Sequence, residues 1–108
     1  MTSQVSVYIT TPDRDTALVI ARALVEEKLA ACANILGPIT SIYRWEGKVH
    51  EEGEVALIAK TDAARAEALI ARAKALHPYQ VPCIVAWPIV AGFEPYLDWI
   101  SAESNSAS

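Results

Sequence analysis

Apolar and polar positions alternate through Gln4–Thr11, with Val5, Val7 and Ile9 on one side. A β-branched run with period two predicts a strand. Thr11-Pro12-Asp13 breaks it and opens a helix: a capping side chain, a proline in the first turn, then an acid near the positive end of the dipole. Asp13–Leu29 follows helical spacing. Ala17, Ala21, Leu24 and Val25 form a stripe that Leu18 and Ile20 widen, and Arg22, Glu26 and Lys28 mark the wet side. Ala31–Leu36 is a short apolar strand, and Gly37-Pro38 interrupts it as a bulge or bend. Ile39–Trp45 resumes strand composition, Glu46-Gly47-Lys48 predicts a turn, and Val49–Lys60 returns. Within that return His50–Glu54 is polar and predicts a solvated, protruding or bent segment, whereas Val55–Ala59 is continuously apolar and predicts a central strand.

Thr61 is expected to cap a second helix, Asp62–Leu76, with Ala66, Leu69, Ile70, Ala73 and Leu76 on one face. His77-Pro78 stops it, because a residue before proline avoids the helical region. A loop through Pro82, an apolar strand Cys83–Trp87 and a short helix Glu94–Ile100 follow, and 101–108 predicts a frayed tail. The order β-α-β-β-α-β plus a terminal helix is the split βαβ, ferredoxin-like arrangement of an α+β fold: an antiparallel sheet with helices on one face. Right-handed crossovers place its strands in the order 4-1-3-2. Both outer strands would then expose unpaired edges, a hazard that association of copies removes.

Composition adds an argument for association. The chain has 108 residues, enough for one domain spanning 1–108, and 53% of them are hydrophobic. Mean hydropathy is +0.22. A chain this short buries only about two-thirds of its surface on folding, so part of the apolar excess fits burial between subunits. The net charge of −4 and absence of an RNA-binding aromatic motif exclude a phosphate-backbone binder, so no nucleic-acid partner is expected. No apolar run reaches the length of a membrane span, so no membrane partner is expected either. Met1–Gln4 carries no basic and apolar leader pattern, which points to the cytoplasm. Cys32 and Cys83 fall on opposite edge strands, three strand spacings or about 14 Å apart, too far for an intrachain disulfide.

The blocks Leu24–Asn34, Ser41–Lys48, Lys60-Thr61, His77–Pro82 and Tyr96–Ile100, met in this order, resemble the CutA divalent-cation-tolerance family over about Val5 to Ile100. The resemblance implies a PII-like homotrimer of ferredoxin-like subunits, a role in tolerance of divalent cations, and copper or another divalent cation as ligand. It implies no organic cofactor. It also associates a copper site with His77, with a glutamate in the following strand and, in some members, with a first-strand cysteine. Here Cys83 stands where that glutamate is usual, and the first strand reads Tyr8-Ile9-Thr10-Thr11. His77 and Cys83 are therefore the metal candidates, a thiolate favouring Cu(I) over harder cations. Against this, a histidine at a helix end can simply cap it, and a cysteine can simply pack.

Lys60, Tyr79 and Trp87 are candidates for lining a cleft that takes a small anion, the alternative PII-like sensor role. Tyr43 and Trp45, on the hairpin, are candidates for the trimer interface, where aromatics are enriched. No nucleophile, phosphate-loop or catalytic triad motif is found, and Thr10–Arg14 lacks the glycine-rich cradle that an acyl-phosphate enzyme needs, so a non-enzyme is expected.

Overall fold

Val5, Val7 and Ile9 lie on the side of β1 (Gln4–Thr11) that meets the core, with Val7 and Ile9 wholly buried. A computed structural model describes residues 3–104. It contains β1, α1 (Arg14–Glu26), β2 (Cys32–Trp45), β3 (Lys48–Asp62), a 3-10 turn (Ala63–Arg65), α2 (Ala66–Leu76), β4 (Ile84–Pro88) and α3 (Glu94–Glu103). The four strands form one antiparallel sheet in the order β2-β3-β1-β4, the order that right-handed crossovers require.

Asp13 starts α1: its carboxylate accepts from the Thr16 N–H at 2.8 Å. Ala17, Ile20, Ala21 and Leu24 form the buried stripe. Val25, expected in that stripe, is exposed, because the stripe drifts around the helix as 3.6-residue periodicity requires. The helix closes at Glu26, three residues before the expected end. Lys28 adopts φ 59°, its N–H reaches the Val25 carbonyl, and the Leu29 N–H reaches that of Leu24. This is a Schellman closure with lysine in the position glycine usually holds. It returns the buried Leu29 to the core beside Leu24.

Gly37 interrupts the register as a bulge, with Ile35 opposite Leu57 and Gly37 opposite Ala56, so Leu36 is the extra residue. The strand bends but does not end, and β2 runs unbroken for 14 residues. Glu46 and Gly47, both at positive φ, form the two-residue turn that suits the twist of a hairpin, with Trp45 opposite Lys48. β1 pairs with β3 only from Val55 onward, so Lys48–Glu54 pairs with β2 alone and the hairpin projects beyond the sheet.

Two assignments are corrected. Thr61 does not cap the second helix. Its hydroxyl donates to the buried Leu29 carbonyl at 2.7 Å, and the Asp62 carboxylate caps the 3-10 turn through the Ala64 N–H. Nor does fraying begin at Ser101. α3 continues to Glu103, since Ser101 accepts from Gln4 Nε2 and donates to Asp62, both at 2.8 Å, while the buried Ser104 hydroxyl accepts from the Asp62 N–H. Beyond the buried Ile100, hydroxyls rather than apolar side chains dock the helix end, so no hydrophobic stripe announces it. The remainder of the expected tail, 105–108, lies outside the described residues.

α1 and α2 cover the side of the sheet that carries Val7, Ile9, Leu57 and Ala59. Alternation sends Gln4, Ser6, Tyr8, Ile58 and Lys60 to the other side. There α3 covers one end only, through Gln4 and Lys60.

Candidate functional site

The β1–β4 ladder ends at Ile9 opposite Ile84, one residue short of Cys83, which was expected to open the strand. The Thr10 N–H still reaches the Cys83 carbonyl at 3.3 Å. The Thr10 carbonyl is taken instead by the His77 ring, whose Nε2 lies 2.7 Å away. A carbonyl can only accept, so Nε2 carries the proton. At the other side of the ring the Tyr79 N–H donates to Nδ1 at 3.2 Å. His77 is thus buried with both ring nitrogens engaged, and is joined to Cys83 through one residue of β1. Cys83 and Cys32 are free thiols, Cys83 exposed and Cys32 half-buried.

Turning the chain at Pro78 also aims Tyr79 at the base of the hairpin. Its hydroxyl donates to Glu54 Oε2 at 3.1 Å. Burial first, then the negative charge of Glu54, pushes the Tyr79 phenol up to about 12. Glu54 is itself buried, which corrects the expectation of a fully solvated His50–Glu54 segment. Farther out, the Tyr43 hydroxyl donates to Glu52, which raises its phenol, and the Tyr43 ring stacks on His50 at 5.3 Å. Tyr43 and Trp45 stay partly exposed on the projecting hairpin. Among the described residues, no three His, Cys, Asp or Glu side chains converge into a set able to hold a metal.

Lys60 lies elsewhere, on the outer face of the sheet. Its ammonium donates to Asn34 Oδ1 at 2.7 Å and stands 5.8 Å from the centre of the Tyr96 ring. The Tyr96 hydroxyl and the Cys32 sulfur are hydrogen-bonded at 3.5 Å, and that bond, with burial, pushes the Tyr96 phenol up to about 12. Trp87 stacks on Tyr8 with centroids 5.4 Å apart. The anticipated residues therefore separate. His77 and Cys83 bond to the Thr10 backbone and Tyr79 bonds to His77 and Glu54, Lys60 and Trp87 sit on the outer face, and Tyr43 and Trp45 lie on the hairpin.

Thr10, Asn34 and Tyr96 were not singled out as site residues, and Glu54 was read only as part of the solvated His50–Glu54 segment. The period-two register could have found Asn34, since it leaves Asn34 on the same face as Lys60. Thr10 acts through its backbone, which side-chain chemistry does not reveal.

The family model described as CutA1 divalent ion tolerance protein matches residues 5–103. The divalent-cation tolerance protein CutA of Thermus thermophilus is 54% identical over 94 residues, 87% of this chain and 91% of that protein. The mouse protein CutA is 42% identical over 94% of this chain, which spans 57% of the mouse protein's length. The crystal structure of CutA from Xylella fastidiosa superposes with a TM-score of 0.93 at 39% identity, covering 96% of this chain and all of that one. A match across nearly all of the described fold, hairpin and terminal helix included, leaves one conclusion: the chain belongs to the CutA1 divalent ion tolerance family.

Proposed function

We propose that the chain serves divalent-cation tolerance in the cytoplasm as a homotrimer that binds copper or a related cation, without catalysing a reaction. The observation that carries the cation reading is the contact of His77 Nε2 with the Thr10 carbonyl. A histidine that ligates a metal usually donates its other ring N–H to a carbonyl or carboxylate, which fixes the ring and strengthens the free nitrogen as a donor. His77 makes that contact to Thr10, leaving the lone pair on Nδ1. Thr10 also bonds the carbonyl of Cys83, whose thiol is exposed.

The two residues offer the chemistry of a two-donor set, an imidazole and a thiol. Imidazole and thiolate suit Cu(I), which accepts few, soft ligands, better than a hard cation that wants six oxygens. Nδ1, which now accepts from the Tyr79 N–H at 3.2 Å, the longer of the ring's two bonds, would be the nitrogen that holds a cation. In the assembly, the projecting hairpin with Tyr43 and Trp45 reaches a neighbouring copy, and the unpaired edges of β2 and β4 are covered.

Native mass spectrometry of the reduced protein, titrated with copper, tests this beside Cys83→Ser, Cys32→Ser and His77→Ala. The expected result is a trimer taking up one copper per subunit, lost in Cys83→Ser and His77→Ala and kept in Cys32→Ser. A trimer that takes up no copper, or that loses it only in Cys32→Ser, overturns the site. A monomer overturns the assembly.

A further inference from the structure

β3 changes neighbours at a single step. From Val55 onward it lies between β1 and β2, and Thr11, opposite Val55, is the last residue of β1 to pair with it. Residues 48–54 pair with β2 alone. A two-stranded ribbon is marginal in water by itself. Tyr43 bonds to Glu52, Arg44 reaches the Gly47 carbonyl, and the Tyr43 ring lies on His50. These contacts stay within the ribbon. They stiffen the hairpin but do not set its angle to the sheet.

Glu54, the ribbon residue at that step, is 8% exposed. A buried carboxylate is costly unless a donor meets it. The donor comes from outside the sheet: the Tyr79 hydroxyl, 3.1 Å from Oε2. Burial and the Glu54 charge push that phenol up to about 12, so it keeps the proton it donates. Tyr79 is itself held. Its N–H donates to His77 Nδ1 at 3.2 Å, its ring lies against the imidazole with centroids 4.8 Å apart, and Pro78 restricts the chain between them. His77 in turn is bonded to the Thr10 carbonyl, and the next residue, Thr11, pairs with Val55. A circuit of contacts through Thr10, His77, Tyr79, Glu54, Val55 and Thr11 therefore closes around the point where the hairpin leaves the sheet. Of its links, the Tyr79–Glu54 bond is the one that reaches the ribbon. Gly53, next outward, has open space where a side chain would stand, so nothing there resists a swing.

We infer that the Tyr79–Glu54 bond is a clamp that fixes the hairpin to the body of the subunit, and so joins the His77 turn to the contact the hairpin makes with a neighbouring copy. The second half rests on the association reading above, and the first does not. Without the bond the ribbon stays paired with itself but pivots about Gly53 and Glu54. Such a coupling is reciprocal: seating the hairpin on a neighbour also orders the 77–79 turn.

Hydrogen exchange of the full chain, read by mass spectrometry, tests the clamp, and native mass spectrometry of the same samples reads the assembly. Tyr79→Phe keeps the ring and removes the donor. Glu54→Gln keeps the shape and a neutral acceptor. Tyr43→Phe removes a bond that lies within the ribbon. In Tyr79→Phe, exchange across residues 48–54 should rise about tenfold, as loss of a hydrogen bond to a charged group implies, with residues 55–59 unchanged. Glu54→Gln should raise it several-fold, and Tyr43→Phe by less than about twofold. The protein concentration at which trimers dissociate should rise about tenfold in Tyr79→Phe. Ribbon exchange equal to wild type in both Tyr79→Phe and Glu54→Gln overturns the clamp. So does a rise shared equally by residues 55–59, or one matched by Tyr43→Phe. Faster ribbon exchange with unchanged dissociation overturns the link to association. A wild type that stays monomeric overturns the association reading instead, and the exchange rates still decide the clamp.

Discussion

The two faces of the sheet are built from alternate residues of the same strands, yet they differ in kind. On the inner face Val7, Ile9, Leu57 and Ala59 meet Ile20, Leu24 and Leu69, and all seven are wholly buried. On the outer face Tyr8, Ile58, Val85 and Trp87 occupy the intervening positions, and Val85 and Trp87 remain 43% and 49% exposed. The inner face is aliphatic and satisfied by the chain's own helices. The outer face is aromatic, carries an ammonium, and is covered only where α3 crosses it. The apolar surplus of the composition is therefore placed where this chain does not use it for its own core, which is where partners and ligands act.

The largest test of this difference is a matched pair of truncations. Leu24→Ala removes a wholly buried side chain of the inner core and should cost about 3 kcal/mol, as large-to-small core changes do. Val85→Ala on the outer face should cost well under about 1 kcal/mol in the monomer. Urea unfolding at matched protein concentrations measures both. If the Val85 change costs as much as the Leu24 change in a trimeric sample and little in a dissociated one, the outer face is a subunit contact. Equal costs in both samples would break the distinction between the faces.

A second pair compares the two histidines. His77, at the end of α2, reaches the Thr10 carbonyl of β1 through Nε2 and accepts from the Tyr79 N–H through Nδ1, while His50 stacks on Tyr43 along the projecting hairpin. His77→Ala should cost about 2–3 kcal/mol, because it leaves the Thr10 carbonyl and the Tyr79 N–H without partners and opens a cavity. His50→Ala should change stability by less than about 0.5 kcal/mol, measured the same way. A smaller effect belongs to Thr61→Val, which keeps shape but orphans the buried Leu29 carbonyl. It should cost about 1–2 kcal/mol, read as a lower urea midpoint with unchanged slope.

These contrasts also show what periodicity could reach. Strand order, both main helices and the hairpin were legible, because apolar residues such as Val7, Leu24 and Leu69 repeat at spacings that only one secondary structure can bury. The last turn of α3 was not legible, because Ser101 and Ser104 dock it through hydroxyls. The reach of β2 past Gly37 was not legible either, since a bulge and a strand end look alike in composition. At the candidate site, His77 and Cys83 were visible as chemical types. Their joint attachment to Thr10 was not, because it runs through backbone atoms that every residue carries. Glu54 was misread as solvated, because its partner Tyr79 lies 25 residues away in sequence.

The smallest expected effect sits at the start of α1, outside either face. Asp13 accepts from the Thr16 N–H, and that bond, largest among the causes, lowers its carboxyl below the ordinary value of 3.8. A lowered folded-state pKa means the unfolded chain binds the proton more readily. The cap's contribution is therefore fully present above the unfolded value and is lost as pH falls through the folded one. Asp13→Asn keeps an acceptor for the Thr16 N–H but removes the ionisable group. It should leave neutral-pH stability nearly unchanged while flattening the acid limb of a urea-midpoint profile. The side chain is exposed and salt screens it, so raising ionic strength should narrow the remaining gap between wild type and Asp13→Asn. An acid limb identical in both proteins would place the acid sensitivity of the fold elsewhere.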